Sequence, residues 1–196
     1  MIKNRNSRWG KTLYIISPGE YFATEEQCIL GTVTGSCVVV CLYDSVRRIG
    51  GMGHFIVPGT IGTEGIFRDE IASHGITSME HVIGEMVKLG GDRKRLSAKI
   101  FGASYLNGYS ARVHYGTVGT MKFMHEYFTL EKIPVLVDDL GGHARRKIIF
   151  NPLNGKVFRK FLSNNEGSSE FIRLEQEYIE NAFRNKGTYG RMIMFE

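Results

Sequence analysis

The sequence is short of the features that would take it out of the ordinary globular class. It has three cysteines, four prolines and one tryptophan in 196 residues. Cys28, Cys37 and Cys41 are odd in number and irregular in spacing, which excludes a disulfide scaffold and favours a reducing compartment, so a cytoplasmic location is expected. The amino-terminal stretch MIKNRNSRWGKTLYIISPGE is basic but lacks the apolar run of a signal peptide. No segment approaches the roughly 20 apolar residues that span a bilayer, and membrane insertion is not expected. There is no internal repeat and no low-complexity tract. Acidic residues are slightly outnumbered, 20 against 25 Lys and Arg, for a formal charge of +5. The basic residues are scattered between a tail (Lys3, Arg5, Arg8, Lys11), Arg93-Lys94-Arg95 and Arg145-Arg146-Lys147. Without a zinc-finger, RNA-recognition or helix-turn-helix pattern they read as solvated surface, and no nucleic-acid partner is expected.

What is present is a core. Hydrophobic residues make up 42% and charged residues 23%, enough to bury one sizeable domain at this length. Strand-like segments, rich in β-branched and aromatic residues and bounded by Gly, Asn or Pro, are Gln27 to Val33, Cys37 to Tyr43, Gly53 to Val57, Ala98 to Phe101, Pro134 to Asp138, Lys147 to Phe150 and Val157 to Leu162. Two helices interrupt them. The first is expected from the capping-box pattern Thr77-Ser-Met-Glu80 to a stop at Gly90-Gly91, the second from Val118 to Leu130 with Val118, Met121, Met124, Tyr127 and Phe128 on or near one face. After Leu162 the composition turns polar, and a third helix is expected from Glu170 to Arg184 on Phe171, Leu174, Tyr178 and Ala182. The expected class is α+β: a layered domain of mainly antiparallel β-sheet packed with helices, spanning 13–162, with a basic tail at 1–12 and a C-terminal helical extension at 163–196.

The chemical signal is densest in Thr32-Val-Thr-Gly-Ser-Cys37-Val-Val-Val-Cys41-Leu-Tyr-Asp44, followed by Ile49-Gly-Gly-Met-Gly-His54-Phe. Gly35 and Ser36 allow a tight turn, so Cys37 opens a buried strand with free backbone N–H groups nearby for an oxyanion. The loop from Asp44 to Ile49 reverses the chain and makes an antiparallel return natural, which can bring His54 beside Cys37. A one-residue slip would turn the imidazole to the other face. If the two meet, the imidazole can take the thiol proton and give a reactive thiolate. Thr32 is the first candidate to orient His54, with Thr34 and Asp44 as competitors. Set against this, a valine-rich strand accommodates an inert core cysteine, and a histidine among glycines is an ordinary turn residue. A metal shared by Cys37 and Cys41 is disfavoured, because four residues along a strand separate the Cα atoms by roughly 13 Å. Cys41 is expected in the core, on the same sheet face as Cys37.

These residues resemble the CheD family. The resemblance runs over about residues 13 to 162 in five ordered blocks: Ser17-Pro-Gly-Glu-Tyr21, Gly35-Ser-Cys-Val-Val-Val-Cys-Leu-Tyr-Asp44, Gly50-Gly-Met-Gly-His-Phe-Ile-Val-Pro58, Asp138-Asp-Leu-Gly-Gly142 and Arg146-Lys-Ile-Ile-Phe-Asn-Pro-Leu-Asn-Gly-Lys156. It implies a nucleophile at Cys37, a base at His54 and a threonine before the Gly-Ser-Cys turn, for which Thr32 is preferred over Thr34. Two departures stand out. Phe101-Gly-Ala-Ser104 replaces the usual Phe-Gly-Gly-Ala, and the region of Thr120 lacks the usual Asn.

The resemblance further implies hydrolysis of glutamine side chains on the cytoplasmic helices of chemoreceptors to methyl-accepting glutamates, without a cofactor or a metal. It also implies a CheC-type phosphatase as a second partner, and hence the alternative of an adaptor without turnover. Nothing in it covers the third helix, whose Glu175-Gln176-Glu177 loosely resembles the Gln and Glu pairs such enzymes modify. The plain reading there is an amphipathic helix covering its own domain; an autoinhibitory or self-modified segment is the other.

Overall fold

The computed structural model describes residues 2–4, 10–59, 66, 70–163 and 169–184. Among these, the strands are β1 (Ile2–Asn4), β2 (Thr12–Ile15), β3 (Tyr21–Thr24), β4 (Cys28–Thr34), β5 (Val38–Asp44), β6 (Ile49–Phe55), β7 (Leu96–Gly102), β8 (Val135–Leu140), β9 (Arg145–Asn151) and β10 (Lys156–Leu162). The α-helices are α1 (Glu70–Lys88), α2 (Ala111–Glu131) and α3 (Ser169–Arg184), with a short 3-10 turn at Arg93–Arg95.

The strands form two five-stranded sheets, ordered β1-β2-β4-β9-β10 and β3-β6-β5-β7-β8. Pairing is antiparallel except between β2 and β4 and between β7 and β8. The fold is thus α+β with mainly antiparallel sheets, and neither sheet closes into a barrel. No helix among the described residues is long and apolar enough to cross a membrane.

β5 shows why the layers stack. Every residue of it except Tyr43 is buried, which requires cover on both faces. Val38, Val40 and Leu42 pack against Met79, Val82 and Met86 of α1 and Phe123 and Tyr127 of α2. Val39 and Cys41 face the other sheet, against Leu30, Ile148 and Phe150. Truncating a side chain such as Leu42 to alanine here costs about 2–5 kcal/mol through lost burial and a residual cavity. The order is therefore helices, sheet, sheet, with Cys41 in the inter-sheet core. β6 begins earlier than expected, at Ile49, because its glycines hide a strand. A Cβ on Gly51 would come within 2.8 Å of Val82 Cγ2, so α1 lies directly on this strand.

Two helix starts differ from expectation. α1 begins at Glu70, and Thr77 is an exposed interior position. The capping box fails because Glu80 reaches sideways, accepting from Arg93 Nη1 at 2.8 Å and the Tyr127 hydroxyl at 2.7 Å. The expected stop holds: Gly90 has φ 92°, and the N–H groups of Gly90 and Gly91 close on the carbonyls of Val87 and Met86. α2 begins at Ala111 after Ser110, with its buried face rotated away from Val118, which is exposed. Its first turns have little apolar periodicity of their own and meet α3 at Arg112 and Gly116. The bounds of α3 match expectation, but its buried positions are Glu175, Ile179, Ala182 and Phe183. An acid lies in the stripe where the sequence suggested Phe171, Leu174 and Tyr178.

Candidate active site

The turn between β4 and β5 carries Cys37, wholly buried just ahead of the strand. Its carbonyl accepts from Thr34 Oγ1 at 2.7 Å and from Ala103 N–H at 2.8 Å, while Ser104 N–H reaches the Gly35 carbonyl at 2.8 Å. The end of β7 thereby clamps the turn. Gly102, at φ 105°, has no room for a side chain because a Cβ would strike the Cys37 carbonyl oxygen. Ala103, standing where the resemblance has glycine, takes φ 48°. Behind this clamp the buried Arg146 binds Ser104 Oγ and the carboxylate of Asp139, which accounts for the Asp138 to Gly142 block.

β5 and β6 pair with Val39 opposite His54, so the imidazole sits diagonally from Cys37 on the same face. The Ser17 to Tyr21 block wraps this strand: Gly19 N–H donates to the His54 carbonyl at 2.7 Å and His54 N–H to the Glu20 carbonyl at 3.1 Å. Thr32 Oγ1 is 2.6 Å from the Ile16 carbonyl and 3.1 Å from His54 Nδ1. The hydroxyl has one proton and the carbonyl has none, so the threonine donates to Ile16 and accepts from Nδ1–H. That assignment leaves Nε2 unprotonated in the neutral ring, and Nε2 is buried without a hydrogen-bond partner among the described residues.

Of the residues singled out in the sequence, Cys37, His54, Thr32 and Gly35 are brought together. Ser36 turns its hydroxyl to the Ser104 carbonyl at 3.3 Å. Thr34 holds the Cys37 carbonyl instead of the imidazole. Asp44 lies at the far end of β5, bound to Arg95 at 2.8 Å.

Glu175 of α3, not among the expected site residues and named in advance only within Glu175-Gln176-Glu177, joins them. Its Oε1 accepts from Gly35 N–H at 2.7 Å and Cys37 N–H at 3.2 Å. Its Oε2 pairs with Arg145 Nη1 at 2.6 Å, and Arg145 Nη2 also donates to the Tyr109 hydroxyl at 3.0 Å. The Cys37 sulfur, a His54 ring nitrogen and a Glu175 carboxylate oxygen lie within 4.8 Å of one another. This donor set would suit zinc, but both carboxylate oxygens are already taken, one by two N–H groups and one by a guanidinium. An acid inside the stripe of Ile179, Ala182 and Phe183 is the sequence signal that could have marked it.

Burial sets the electrostatics. It pushes the Cys37 thiol well up, and the Glu175 charge and hydrogen bond push the same way, with Arg145 opposing. Burial pulls His54 below its usual range, against the opposite pulls of Glu175, the Ile16 carbonyl and Glu20. The resting pair is a neutral thiol and a neutral imidazole.

The family profile described as CheD chemotactic sensory transduction matches residues 59–161. The probable chemoreceptor glutamine deamidase CheD of Hahella chejuensis is 35% identical over 184 residues, covering 90% of this chain and 82% of that protein. The chain belongs to the CheD family. A second CheD relative, the probable chemoreceptor glutamine deamidase CheD 1 of Shewanella oneidensis, is 40% identical over 166 residues, 83% of this chain and 78% of that one. Cys37 and His54 precede the profile match. A solved structure, the Bacillus licheniformis hypothetical protein YfiH, aligns over 41% of this chain and 26% of that one at 17% identity and TM-score 0.30, too slight a likeness to bear on the fold.

Proposed function

We propose that this CheD-family chain is a cysteine-dependent protein-glutamine deamidase that converts glutamine side chains of chemoreceptors to glutamates in chemotaxis adaptation. One observation carries the reading. Two backbone N–H groups, from Gly35 and Cys37, converge on a single side-chain oxygen beside the thiol, a His54 ring nitrogen belongs to the same cluster, and Nε2 has no hydrogen-bond partner among the described residues.

The steps follow from those positions. A substrate carboxamide takes the place of the carboxylate, with its oxygen on the two N–H groups. The negative charge beside the thiol is then gone, and His54 Nε2 accepts the thiol proton. The sulfur attacks the amide carbon, and the developing oxyanion stays on the N–H pair. The imidazolium, steadied through Nδ1–H by Thr32, gives its proton to the leaving nitrogen, and ammonia departs. Water enters, His54 takes its proton, and hydroxide cleaves the thioester to a carboxylate and the free thiol. The balance is amide plus water to acid plus ammonia, with no redox step.

The test is mass spectrometry of a chemoreceptor cytoplasmic fragment incubated with wild-type protein or Cys37→Ala. A one-dalton gain at defined glutamines with wild type only is the expected result. Conversion by Cys37→Ala would remove the thiol mechanism. Receptor or CheC-type phosphatase binding without any conversion would leave the adaptor.

A further inference from the structure

α3 does more than cover the domain. It is an amphipathic helix that puts a glutamate, the chemical product of glutamine deamidation, onto the two N–H groups beside Cys37. The fit extends along the helix. Glu175 enters over Gly35, where an added Cβ would lie 2.8 Å from Oε2. Phe183 lies over Gly116, whose Cβ would meet its ring at 2.6 Å, and Tyr178 lies over Gly19, whose Cβ would meet its ring at 2.7 Å. Ile179, Ala182 and Phe183 form one apolar cluster with Cys37 and Ile56. The helix end is held by Arg112, which donates to the Phe183 carbonyl at 2.6 Å and stands 4.8 Å from its ring centre. A patch that only shielded apolar surface would not need an ionised acid in its centre, where burying the charge is costly unless it is paired as Glu175 is.

We propose that the groove filled by α3 is the docking groove for the substrate's helix, and that α3 occupies it as a tethered product analogue with Glu175 at the target position. The inference rests on the deamidase reading above and adds a substrate rule to it. The target glutamine is presented from an amphipathic helix, with a large apolar residue four positions after it, a small one at seven and an aromatic one at eight, as Ile179, Ala182 and Phe183 stand to Glu175. Access requires α3 to leave, because Cys37 is fully buried beneath it.

The decisive experiment turns the analogue into a substrate. In full-length Glu175→Gln, position 175 is read by peptide mass spectrometry, with the exposed Gln176 as the internal control. The expected result is a carboxylate at 175, or a thioester to Cys37 with ammonia lost, and an intact amide there when Cys37→Ala is added. In parallel, Phe183→Ala loosens α3 while keeping Cys37, His54, Thr32 and Glu175, and alkylation of Cys37 and conversion of a receptor fragment are both expected to rise about tenfold or more. A Glu175→Gln chain that keeps its amide at 175 overturns the inference, as does unchanged alkylation in Phe183→Ala. The receptor assay with wild type and Phe183→Ala separates the two failures. Receptor conversion while the introduced amide stays intact leaves the deamidase reading standing, and no conversion anywhere removes both.

Discussion

Thr32 Oγ1 stands 3.1 Å from His54 Nδ1 while its own proton is committed to the Ile16 carbonyl at 2.6 Å. The hydroxyl is therefore an acceptor toward the ring, and together with the Ile16 carbonyl, 3.3 Å from Nδ1, it fixes both the tautomer and the direction of Nε2.

Replacing Thr32 with valine keeps the volume and removes that acceptor. The expected result is a fall in kcat of roughly 10- to 100-fold, smaller than the loss of a whole general base, with KM little changed. The imidazolium loses a partner, so the acid limb of kcat/KM moves to lower pH. Thr32→Ser restores both the rate and the limb. A purely structural role would instead show as a lower melting temperature with an unmoved pH profile.

The titrating pair also sets a stability window. The folded-state pKa of His54 is depressed from 6.5, so its contribution is present above about that pH and is lost as pH falls toward the folded value. His74, likewise lowered by burial, adds to this acid limb. Cys37 is raised above 9.0, so its contribution is complete below that pH and fades as pH rises beyond it; Cys28, raised to about 11, acts in the same sense. Thermal melts should therefore be flat between about pH 6.5 and 9 and fall on either side, and Cys37→Ala should flatten the alkaline fall. An alkaline fall unchanged in Cys37→Ala would show that the thiol is not buried as described.

Asp44 gives a control far from the chemistry. Its buried carboxylate accepts from the N–H groups of Val46, Arg47 and Asp92 and from Arg95. Arg95 and these N–H groups hold it at about 2 despite burial, so its stabilisation is present above pH 3.8 and is lost as pH falls through the folded value. Asp44→Ala leaves several donors unmet and should cost about 1–3 kcal/mol in denaturant unfolding. Cys37 reactivity should not change, since Asp44 and Cys37 are at opposite ends of β5.

The β4 to β6 region was legible because its signals are local. A β-branched run bracketed by Gly35-Ser36 and a short reversing loop fixes the hairpin, and inward parity then puts Cys37, Cys41 and His54 on one face. The start of β6 was hidden by Gly50, Gly51 and Gly53; Gly51 serves the close approach of α1 and Gly50 that of Pro152. The starts of α1 and α2 were missed for a tertiary reason. Glu80 looked like a capping residue but is claimed by Arg93 and Tyr127, and the first turns of α2 are partly exposed and meet α3 at Arg112 and Gly116. Thr32 and Thr34 could not be told apart from spacing, since both side chains are buried next to the turn and only their hydrogen bonds differ. Glu175 was visible as an acid near apolar residues and in the loose likeness of Glu175-Gln176-Glu177 to modified pairs, but the two N–H groups it accepts from are 138 and 140 residues away in sequence.

Arg145 and Glu175 supply the last test. Their ion pair at 2.6 Å is almost sealed, with side-chain exposures of 14% and 1%. Arg145→Met leaves the Glu175 charge buried with the two N–H groups, the Tyr109 hydroxyl and the Cys37 thiol near it but no counter-charge on Oε2, which should cost about 3–5 kcal/mol if α3 stays docked. The protein can avoid much of that by letting α3 go, and this predicts a second consequence: faster alkylation of Cys37. Glu175→Met removes the charge that needs Arg145 and offers no amide to hydrolyse, so the double variant should be less destabilised than the single effects summed, by about 1–3 kcal/mol. Denaturant unfolding of the four proteins in the cycle, each with its Cys37 alkylation rate, checks both outcomes. Additive energies with an unchanged alkylation rate in Arg145→Met would mean that the pair does not hold α3 over the thiol.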